Sequence, residues 1–269
     1  MSKMLFSSVN GQQVDHVSIN ERTIQYGDGV FTTAKIAGGE VVWLNRHIDR
    51  LRNACQKIMI TGVDWSLLTD ELSHVAKNYQ HATLKVIISA GQQSKAYARA
   101  DDCTANILIY VNEFPSHYFE WQEKGISIGV AKTRLGINSA LAGLKHTNRL
   151  EQVLLKNEVA STEYQDLLAF NELDNLIESI SSNVFLLINN EWVTPKLDKS
   201  GVDGLSRQVL LAQYPQIKVR DVQQAELVNI QAILLTNCLM PAVPISSFEG
   251  KALSIEVCRP FISYLNEVS

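Results

Sequence analysis

Strand-like and helix-like segments alternate along most of this sequence, and their order constrains the fold more than any other feature. Apolar runs at Val30–Ile36, Leu84–Ser89 and Ile107–Val111 predict strands in the first half. Apolar residues at helical spacing predict two helices between the first two of these strands, one beginning at Asn45 and one over Leu68–Tyr79. Mixed segments in this order are typical of two α/β or α+β domains.

The second half of the chain continues the mixture. We predict five strands and three helices there: strands Ile126–Val130, Leu167–Asn171, Val184–Ile188, Glu191–Thr194 and Ala232–Thr236, with helices from Asn148, over Leu205–Ala212 and over Ile255–Leu265. The best linker candidate is Asn112–Ser116. We therefore predict an N-terminal domain of residues 1–114 and a C-terminal domain of residues 115–269.

The composition is that of an ordinary soluble globular protein. Hydrophobic residues make up 46% and charged residues 19% of the 269 positions, and the net charge is −4. A chain without basic runs gives no reason to expect a nucleic acid or an anionic membrane as partner. The four cysteines are far apart and lack zinc-ligand spacing, so we expect no metal and a reducing, cytoplasmic location.

One lysine lies where a purely structural lysine is unfavourable. Lys145 follows a run of small and turn-forming residues and precedes an amphipathic helix with apolar residues at Leu150, Val153, Leu154 and Val159. Asn148 and Glu151 predict a capping box, which places Lys145 near the positive end of the helix dipole. Such surroundings favour the neutral amine that reacts with a carbonyl. A solvated surface lysine is the alternative that this stretch alone leaves open.

Four further motifs surround Lys145 in a fixed order. They are Tyr26–Phe31, His47–Leu51, Glu178–Phe185 and Asp203–Arg207. The ordered set resembles the class IV aminotransferases, the pyridoxal-phosphate (PLP) enzymes of fold type IV, which include D-amino-acid aminotransferase, branched-chain aminotransferase and 4-amino-4-deoxychorismate lyase. The resemblance covers essentially the whole chain. It implies a two-domain fold like that of D-amino-acid aminotransferase, PLP as cofactor, and a homodimer.

The resemblance also implies roles for individual residues. Lys145 matches the lysine that forms a Schiff base with the cofactor and acts in catalysis. Glu178 matches the acid that pairs with the pyridine nitrogen, and Arg50 matches the arginine that binds the phosphate, although neighbouring Arg46 lies on the same helix face. The remaining predicted phosphate-binding residues are Leu205, Ser206 and Asn237.

Within the family, three stretches are similar to the aminodeoxychorismate lyases: Gly29–Ala34, Leu144–Val153 and Asn237–Pro241. The aminotransferases more often carry an acidic residue where Thr32 stands. This similarity implies cleavage of 4-amino-4-deoxychorismate to 4-aminobenzoate and pyruvate in folate biosynthesis, with Phe31 and Thr32 as substrate-binding residues.

One loop departs from the lyases. Where they carry a Gly-Gly-Arg-Gly-Tyr run, this chain has Lys95 and Tyr97 in the loop Ala90–Thr104. A lysine keeps a cation for a substrate carboxylate but not the bidentate geometry of arginine. We predict that Lys95 and Tyr97 contact a substrate carboxylate in their own or a neighbouring pocket.

Two other functions compete with the lyase. A D-amino-acid or branched-chain aminotransferase shares every cofactor residue but requires a keto-acid acceptor. The second alternative is a non-catalytic binding protein with the same fold, which would not require Lys145, Glu178 and Arg50 together. The presence of all three residues argues against this alternative.

Overall fold

A computed structural model of the chain describes residues 3–92, 94–101 and 103–269, with the backbone alone at Ser94 and Lys95. The chain folds into two compact units, Met1–Pro115 with Lys145–Asn148, and Ser116–Leu144 with Arg149–Ser269. The first boundary lies next to the predicted one. The short segment Lys145–Asn148, which we predicted in the C-terminal domain, belongs to the first unit.

The first unit is built on an antiparallel sheet. Its strands are β1 Met4–Val9, β2 Gly29–Ala37, β3 Glu40–Val41, β4 His81–Ser89, β5 Ser94–Lys95, β6 Ala98–Arg99 and β7 Asn106–Glu113, and its helices are α1 Arg22–Tyr26, α2 Leu44–Lys57 and α3 Trp65–Ala76. Five strands form the sheet in the order β1-β7-β4-β2-β3, and β5 and β6 form a separate hairpin. The predicted strands and helices of this half are confirmed, with small shifts at their ends.

Alternation along β2 gives the sheet two different faces. Val30, Thr32, Ala34 and Ile36 are buried, and α2 packs against this strand. Phe31, Thr33 and Lys35 lie on the other face and are only half-buried. The sheet therefore presents one apolar core face and one half-covered face of mixed character.

The second unit contains a nine-stranded mixed sheet. Its elements are α4 His117–Lys124, β8 Ile126–Val130, α5 Leu150–Val159, β9 Asp166–Phe170, β10 Leu176–Ser179, β11 Asn183–Ile188, β12 Glu191–Pro195, α6 Leu205–Gln213, β13 Lys218–Arg220, β14 Ile230–Thr236, β15 Val243–Phe248, β16 Lys251–Ala252 and α7 Arg259–Glu267, with 3₁₀ turns at Gln224–Asn229 and Glu256–Cys258. The strand order is β10-β9-β8-β15-β14-β11-β12-β13, and β16 pairs with β15. The pairs β8–β9, β8–β15 and β12–β13 are parallel. The mixed α/β class predicted from the sequence is confirmed.

The predicted capping box of α5 is wrong. The Asn148 side-chain amide donates to the Gly27 carbonyl at 3.0 Å, and the Glu151 carboxylate accepts from the Gly136 amide at 2.7 Å. Both side chains therefore fix loops instead of the helix start, which lies at Leu150. The predicted apolar face is also wrong in part, because Leu155 and Val159 are buried whereas Leu150 is exposed.

Two kinds of feature are absent from the described parts of the chain. No helix in residues 3–92, 94–101 and 103–269 is long and apolar enough to cross a membrane. The same residues contain no group of three or more His, Cys, Asp or Glu side chains arranged to hold a metal ion.

Candidate active site

Lys145 is held by the backbone of the first unit's sheet. The Phe31 amide donates to the Lys145 carbonyl at 2.8 Å, and His146 forms an isolated antiparallel bridge with Val30. The segment Lys145–His146 thus pairs with the beginning of β2, at Val30 and Phe31. Backbone pairing fixes where the Lys145 side chain begins, as a reactive amine requires.

Gly27 locks the other end of this segment. Its carbonyl accepts from the Thr147 hydroxyl at 2.6 Å as well as from Asn148. Gly27 has φ = 63°, and a Cβ atom there would lie 2.1 Å from the Asn148 side-chain oxygen. The turn before β2 therefore requires glycine both for its conformation and for the close approach of Asn148.

His47 lies buried beside the two predicted cationic groups of the first unit. Its Nδ1 is 2.6 Å from the Thr32 hydroxyl, and both side chains are 1% exposed. Burial, followed by the nearby charges of Arg50 and Lys145, lowers the pKa of His47 to about 3. The imidazole is consequently neutral at physiological pH. Arg50 and Lys145 lie close enough to His47 for their charges to affect its pKa.

The substrate contact predicted for Thr32 stays a prediction, and its hydroxyl already has a partner. Its side chain points to the core face of β2 and hydrogen-bonds His47. Because side chains alternate along a strand, Phe31 lies on the opposite face. The Phe31 ring centroid is 4.6 Å from the Lys145 ammonium nitrogen and 4.8 Å from that of Lys85. Phe31 is therefore the member of the predicted pair that lies beside the lysine.

The loop that carries Tyr97 is anchored by an ion cluster. Asp28 accepts from Arg22 Nε at 2.8 Å and from Arg99 Nη2 at 2.5 Å, and Arg22 Nη2 donates to the Tyr97 carbonyl at 2.9 Å. The Tyr97 side chain is 85% exposed, with its ring 5.5 Å from that of Tyr26. The side chain of Lys95 lies outside the described residues.

Glu178 is fixed within the second unit. It is 5% exposed, and its Oε2 accepts from the Val202 amide at 2.9 Å. Burial lowers the pKa of Arg149, and the Glu178 carboxylate opposes that shift. Arg149 Nη2 also donates to the Leu144 carbonyl at 2.7 Å, immediately before Lys145 in the chain. Glu178 is thus held both by a backbone N–H group and by the charge of Arg149.

Asn183 and Glu178 together shape the turn that leads into α6. Asn183 accepts from the Gly204 amide at 3.0 Å and donates to the Val202 carbonyl at 2.8 Å. A Cβ atom at Gly204 would lie 2.1 Å from the Asn183 side-chain oxygen, so this position requires glycine. Arg207, in the first turn of α6, donates to Asp203 at 2.7 Å. These hydrogen bonds fix the conformation of the chain at the start of α6.

Two buried hydroxyl groups in the second unit fit a phosphate. Ser206 and Thr236 are each 1% exposed, and neither side-chain oxygen has a hydrogen-bond partner within the part of the chain that the structure describes. A buried polar group normally has a partner. Ser206, with Leu205, also lies in the first turn of α6, where backbone N–H groups lack intrahelical acceptors. This donor set is suited to the phosphate of PLP.

The phosphate contact predicted for Asn237 stays a prediction, and the structure shows that its side chain already has other partners. The Asn237 side chain accepts from the Leu239 and Met240 amides at 2.9 and 2.8 Å and donates to the Ser182 hydroxyl at 3.1 Å. Its own backbone amide donates to the Met240 carbonyl at 3.3 Å. These groups hold the turn after β14, and Thr236 supplies the available hydroxyl.

Three residues that interact with predicted site residues received no role from the sequence: His47, Arg149 and Asn183. His47 and Asn183 stand inside the motifs His47–Leu51 and Glu178–Phe185, so their position was a usable signal. Nothing in the sequence shows that Arg149 faces Glu178, because the two lie in separate segments.

Residues 29–248 match the family model described as Amino-transferase class IV. The chain belongs to this family. It is 33% identical over 253 residues to the aminodeoxychorismate lyase of Vibrio harveyi, covering 92% of this chain and 93% of that protein. It is 25% identical over 270 residues to the D-alanine aminotransferase of Bacillus licheniformis, with coverages of 93% and 90%.

Solved structures of other proteins have the same fold as this chain. The 4-amino-4-deoxychorismate lyase of Pseudomonas aeruginosa superposes with a TM-score of 0.91 at 27% identity, covering 97% of this chain and 98% of the other. A hypothetical aminotransferase from Mycobacterium tuberculosis, in its PLP-bound form, shares the fold at a TM-score of 0.83 and 16% identity, covering 98% of both chains. The family and the fold type predicted from the sequence are therefore confirmed.

Proposed function

We propose that this chain is a PLP-dependent lyase that converts 4-amino-4-deoxychorismate to 4-aminobenzoate, a folate precursor, and pyruvate. The observation that carries the proposal is the similarity to two proteins named as this lyase, which spans more than nine-tenths of the chain in each case. The proposal includes a homodimer that works in the cytoplasm.

The proposal gives individual residues of each unit a role toward the cofactor. In the first unit, Lys145 provides the amine that holds the cofactor's aldehyde, and Arg50 provides a guanidinium for its phosphate. In the second unit, Ser206, Thr236 and the first-turn amides of α6 donate to phosphate oxygens. Glu178, held by the Val202 amide, keeps a proton on the ring nitrogen.

PLP, when bound, supplies an aldehyde for the substrate amine and a ring that withdraws electrons from the carbon bearing it. The Lys145 amine removes the proton from that carbon. The C–O bond to the enolpyruvyl group then breaks at the adjacent carbon, and the six-membered ring becomes aromatic. The released enolpyruvate gains one proton at its methylene carbon and becomes pyruvate, which balances the proton that Lys145 removed, so the reaction consumes neither water nor a keto acid.

Neutral His47 supports this chemistry in the first unit. A third cation beside Arg50 and Lys145 would repel both, whereas the uncharged imidazole adds no such repulsion. Its bond to Thr32 also fixes the ring orientation. Thr32 and His47 thus form a neutral pair on the core side of β2.

The test is an assay with enzymatically generated 4-amino-4-deoxychorismate and added PLP. We expect equal molar amounts of 4-aminobenzoate, followed by fluorescence, and pyruvate, followed with lactate dehydrogenase, in the absence of any keto acid. Product formation only after a keto acid is added would identify an aminotransferase instead. Absence of the cofactor's visible absorbance band in PLP-treated protein would support a non-catalytic protein.

A further inference from the structure

Lys85 is a half-buried cation at the centre of the first unit's sheet. It lies on β4, the middle strand, and burial lowers the pKa of its ammonium. None of the ion pairs found among the described residues involves Lys85. Partly desolvated lysines usually have an anionic partner, because burial of an unpaired charge is costly. A ligand anion satisfies this requirement.

Lys85 lies near Lys145, because both ammonium groups contact the same aromatic ring. The two ammonium nitrogens lie 4.8 and 4.6 Å from the same Phe31 ring centroid and are therefore within about 9 Å of each other. Lys85 shares the half-covered face of the sheet with Phe31, opposite to the face that packs on α2. An anion bound by Lys85 thus lies within a small molecule's length of the reactive amine.

A tyrosine lies next to Lys85 on the same face of the sheet. Tyr110 on β7 is its direct cross-strand partner, and such pairs have neighbouring side chains. Burial raises the pKa of the Tyr110 phenol, so the group remains a hydrogen-bond donor at physiological pH. An ammonium beside a phenol provides donors for both oxygens of a carboxylate.

The substrate of the proposed reaction carries a carboxylate that Lys85 can reach while the substrate amine lies at Lys145. Its ring carboxylate lies para to the amine, with the carboxyl carbon about 6 Å from the amine nitrogen by ordinary bond lengths. A hydrogen bond from an ammonium to that carboxylate adds about 3 Å. The two lengths sum to about 9 Å, which is the largest separation of Lys85 from Lys145 that their contacts with the Phe31 ring allow.

We infer that Lys85, with Tyr110 beside it, binds the ring carboxylate of the substrate. This inference rests on the proposed function and adds a residue that orients the substrate. In this inference a residue of strand β4 binds the carboxylate. The contact predicted for Lys95 in the loop Ala90–Thr104 is separate from it. Loss of Lys85 should therefore weaken substrate binding without disturbing the cofactor groups.

The test compares Lys85→Met with Lys35→Met. Lys35 lies on the same half-covered face of the sheet, on β2. It is two residues beyond Thr33, which pairs with Lys85. Both variants therefore remove one lysine charge from the same face. We expect Lys85→Met to raise KM for 4-amino-4-deoxychorismate about 10- to 100-fold, as for loss of a charged hydrogen bond. The kcat and the visible absorbance of bound PLP should be retained. Lys85→Arg should restore part of the affinity, and Lys35→Met should change KM less than about twofold.

A binding measurement separates this inference from the proposed function. Titrations of the PLP-loaded protein with 4-aminobenzoate and with aniline compare the same ring with and without the carboxylate. Wild-type protein should prefer 4-aminobenzoate, and Lys85→Met should lose that preference even if no lyase activity is found. Thermal unfolding checks that the variant is folded. An unchanged preference and KM in Lys85→Met, or an equal loss in Lys35→Met, would overturn the inference.

Discussion

At the residue scale, Lys145 and Glu178 have separable roles in the proposed reaction. Glu178→Gln should retain bound PLP yet lose on the order of a hundredfold in kcat, since a neutral amide stabilises a protonated ring nitrogen poorly. Lys145→Ala should lose both the visible absorbance band and measurable turnover, because Lys145 holds the cofactor and moves the proton. Absorbance spectra and steady-state rates of the two variants check this. Wild-type kcat in Glu178→Gln would remove Glu178 from the mechanism.

His47 gives the stability of the protein a specific dependence on pH. Its pKa falls from 6.5 to about 3 on folding, so the unfolded chain binds the proton first as the pH drops. The free energy of unfolding should therefore fall between pH 6.5 and about 3, by up to about 1.4 kcal/mol per pH unit from this group.

His47→Gln keeps a side chain that can hydrogen-bond Thr32 and removes the titration. Urea unfolding at several pH values should show a shallower slope for this variant than for wild type. His16→Gln, at a position whose side chain is 81% exposed, is the control for the histidine-to-glutamine replacement itself. Equal slopes for wild type and His47→Gln would contradict the prediction.

At the element scale, the start of α6 and the end of β14 should bind phosphate without stabilising the empty protein. The hydroxyls of Ser206 and Thr236 have no partner among the described residues, so Ser206→Ala and Thr236→Val should not lower the melting temperature of the apo-protein. Both variants should weaken PLP binding about tenfold, measured by equilibrium dialysis.

Ser8→Ala provides the comparison for these two variants. Ser8 is also buried, but its hydroxyl has a partner, Glu71 at 3.2 Å, and it lies in the first unit. This variant should lower the apo melting temperature and leave PLP affinity unchanged. A fall in the apo melting temperature of Ser206→Ala equal to that of Ser8→Ala would show that Ser206 has a structural role instead.

Elements with strong local signals were predictable from the sequence. The Asn189-Asn190 turn between β11 and β12 has φ values of 50° and 65°, as a type I′ hairpin requires, and α6 begins at Leu205 as predicted. β10, β13 and β15 were missed because they are short or interrupted by polar residues, and pairing with neighbours makes them strands.

The candidate site could be predicted as a set of residues but not as a geometry. Motif order predicts roles for Lys145, Arg50, Glu178 and Ser206, whereas only the structure shows which polar side chains already have hydrogen-bond partners. Thr32 is engaged by His47 and Asn237 by its own turn. These contacts depend on strand alternation and on chain segments far apart in sequence, which a linear motif does not record.

At the scale of the whole molecule, we predict a homodimer, and α5 offers a surface that it could use. Leu150, Val153 and Leu154 are 71%, 52% and 51% exposed and lie on one side of the helix at spacings of three and four residues. Clustered exposed apolar side chains commonly mark an interaction surface. A second copy of the chain that packs on these three side chains would shield them from water, which favours association.

Leu154→Glu should therefore shift the protein from dimer to monomer in sedimentation velocity, because a buried carboxylate at an apolar interface is costly. Leu67→Glu is the control, since Leu67 is 65% exposed on α3 in the other unit and should leave the sedimentation coefficient unchanged. A monomeric wild-type protein would contradict the dimer itself. A Leu154→Glu variant that sediments as a dimer would show instead that the two copies meet on another surface.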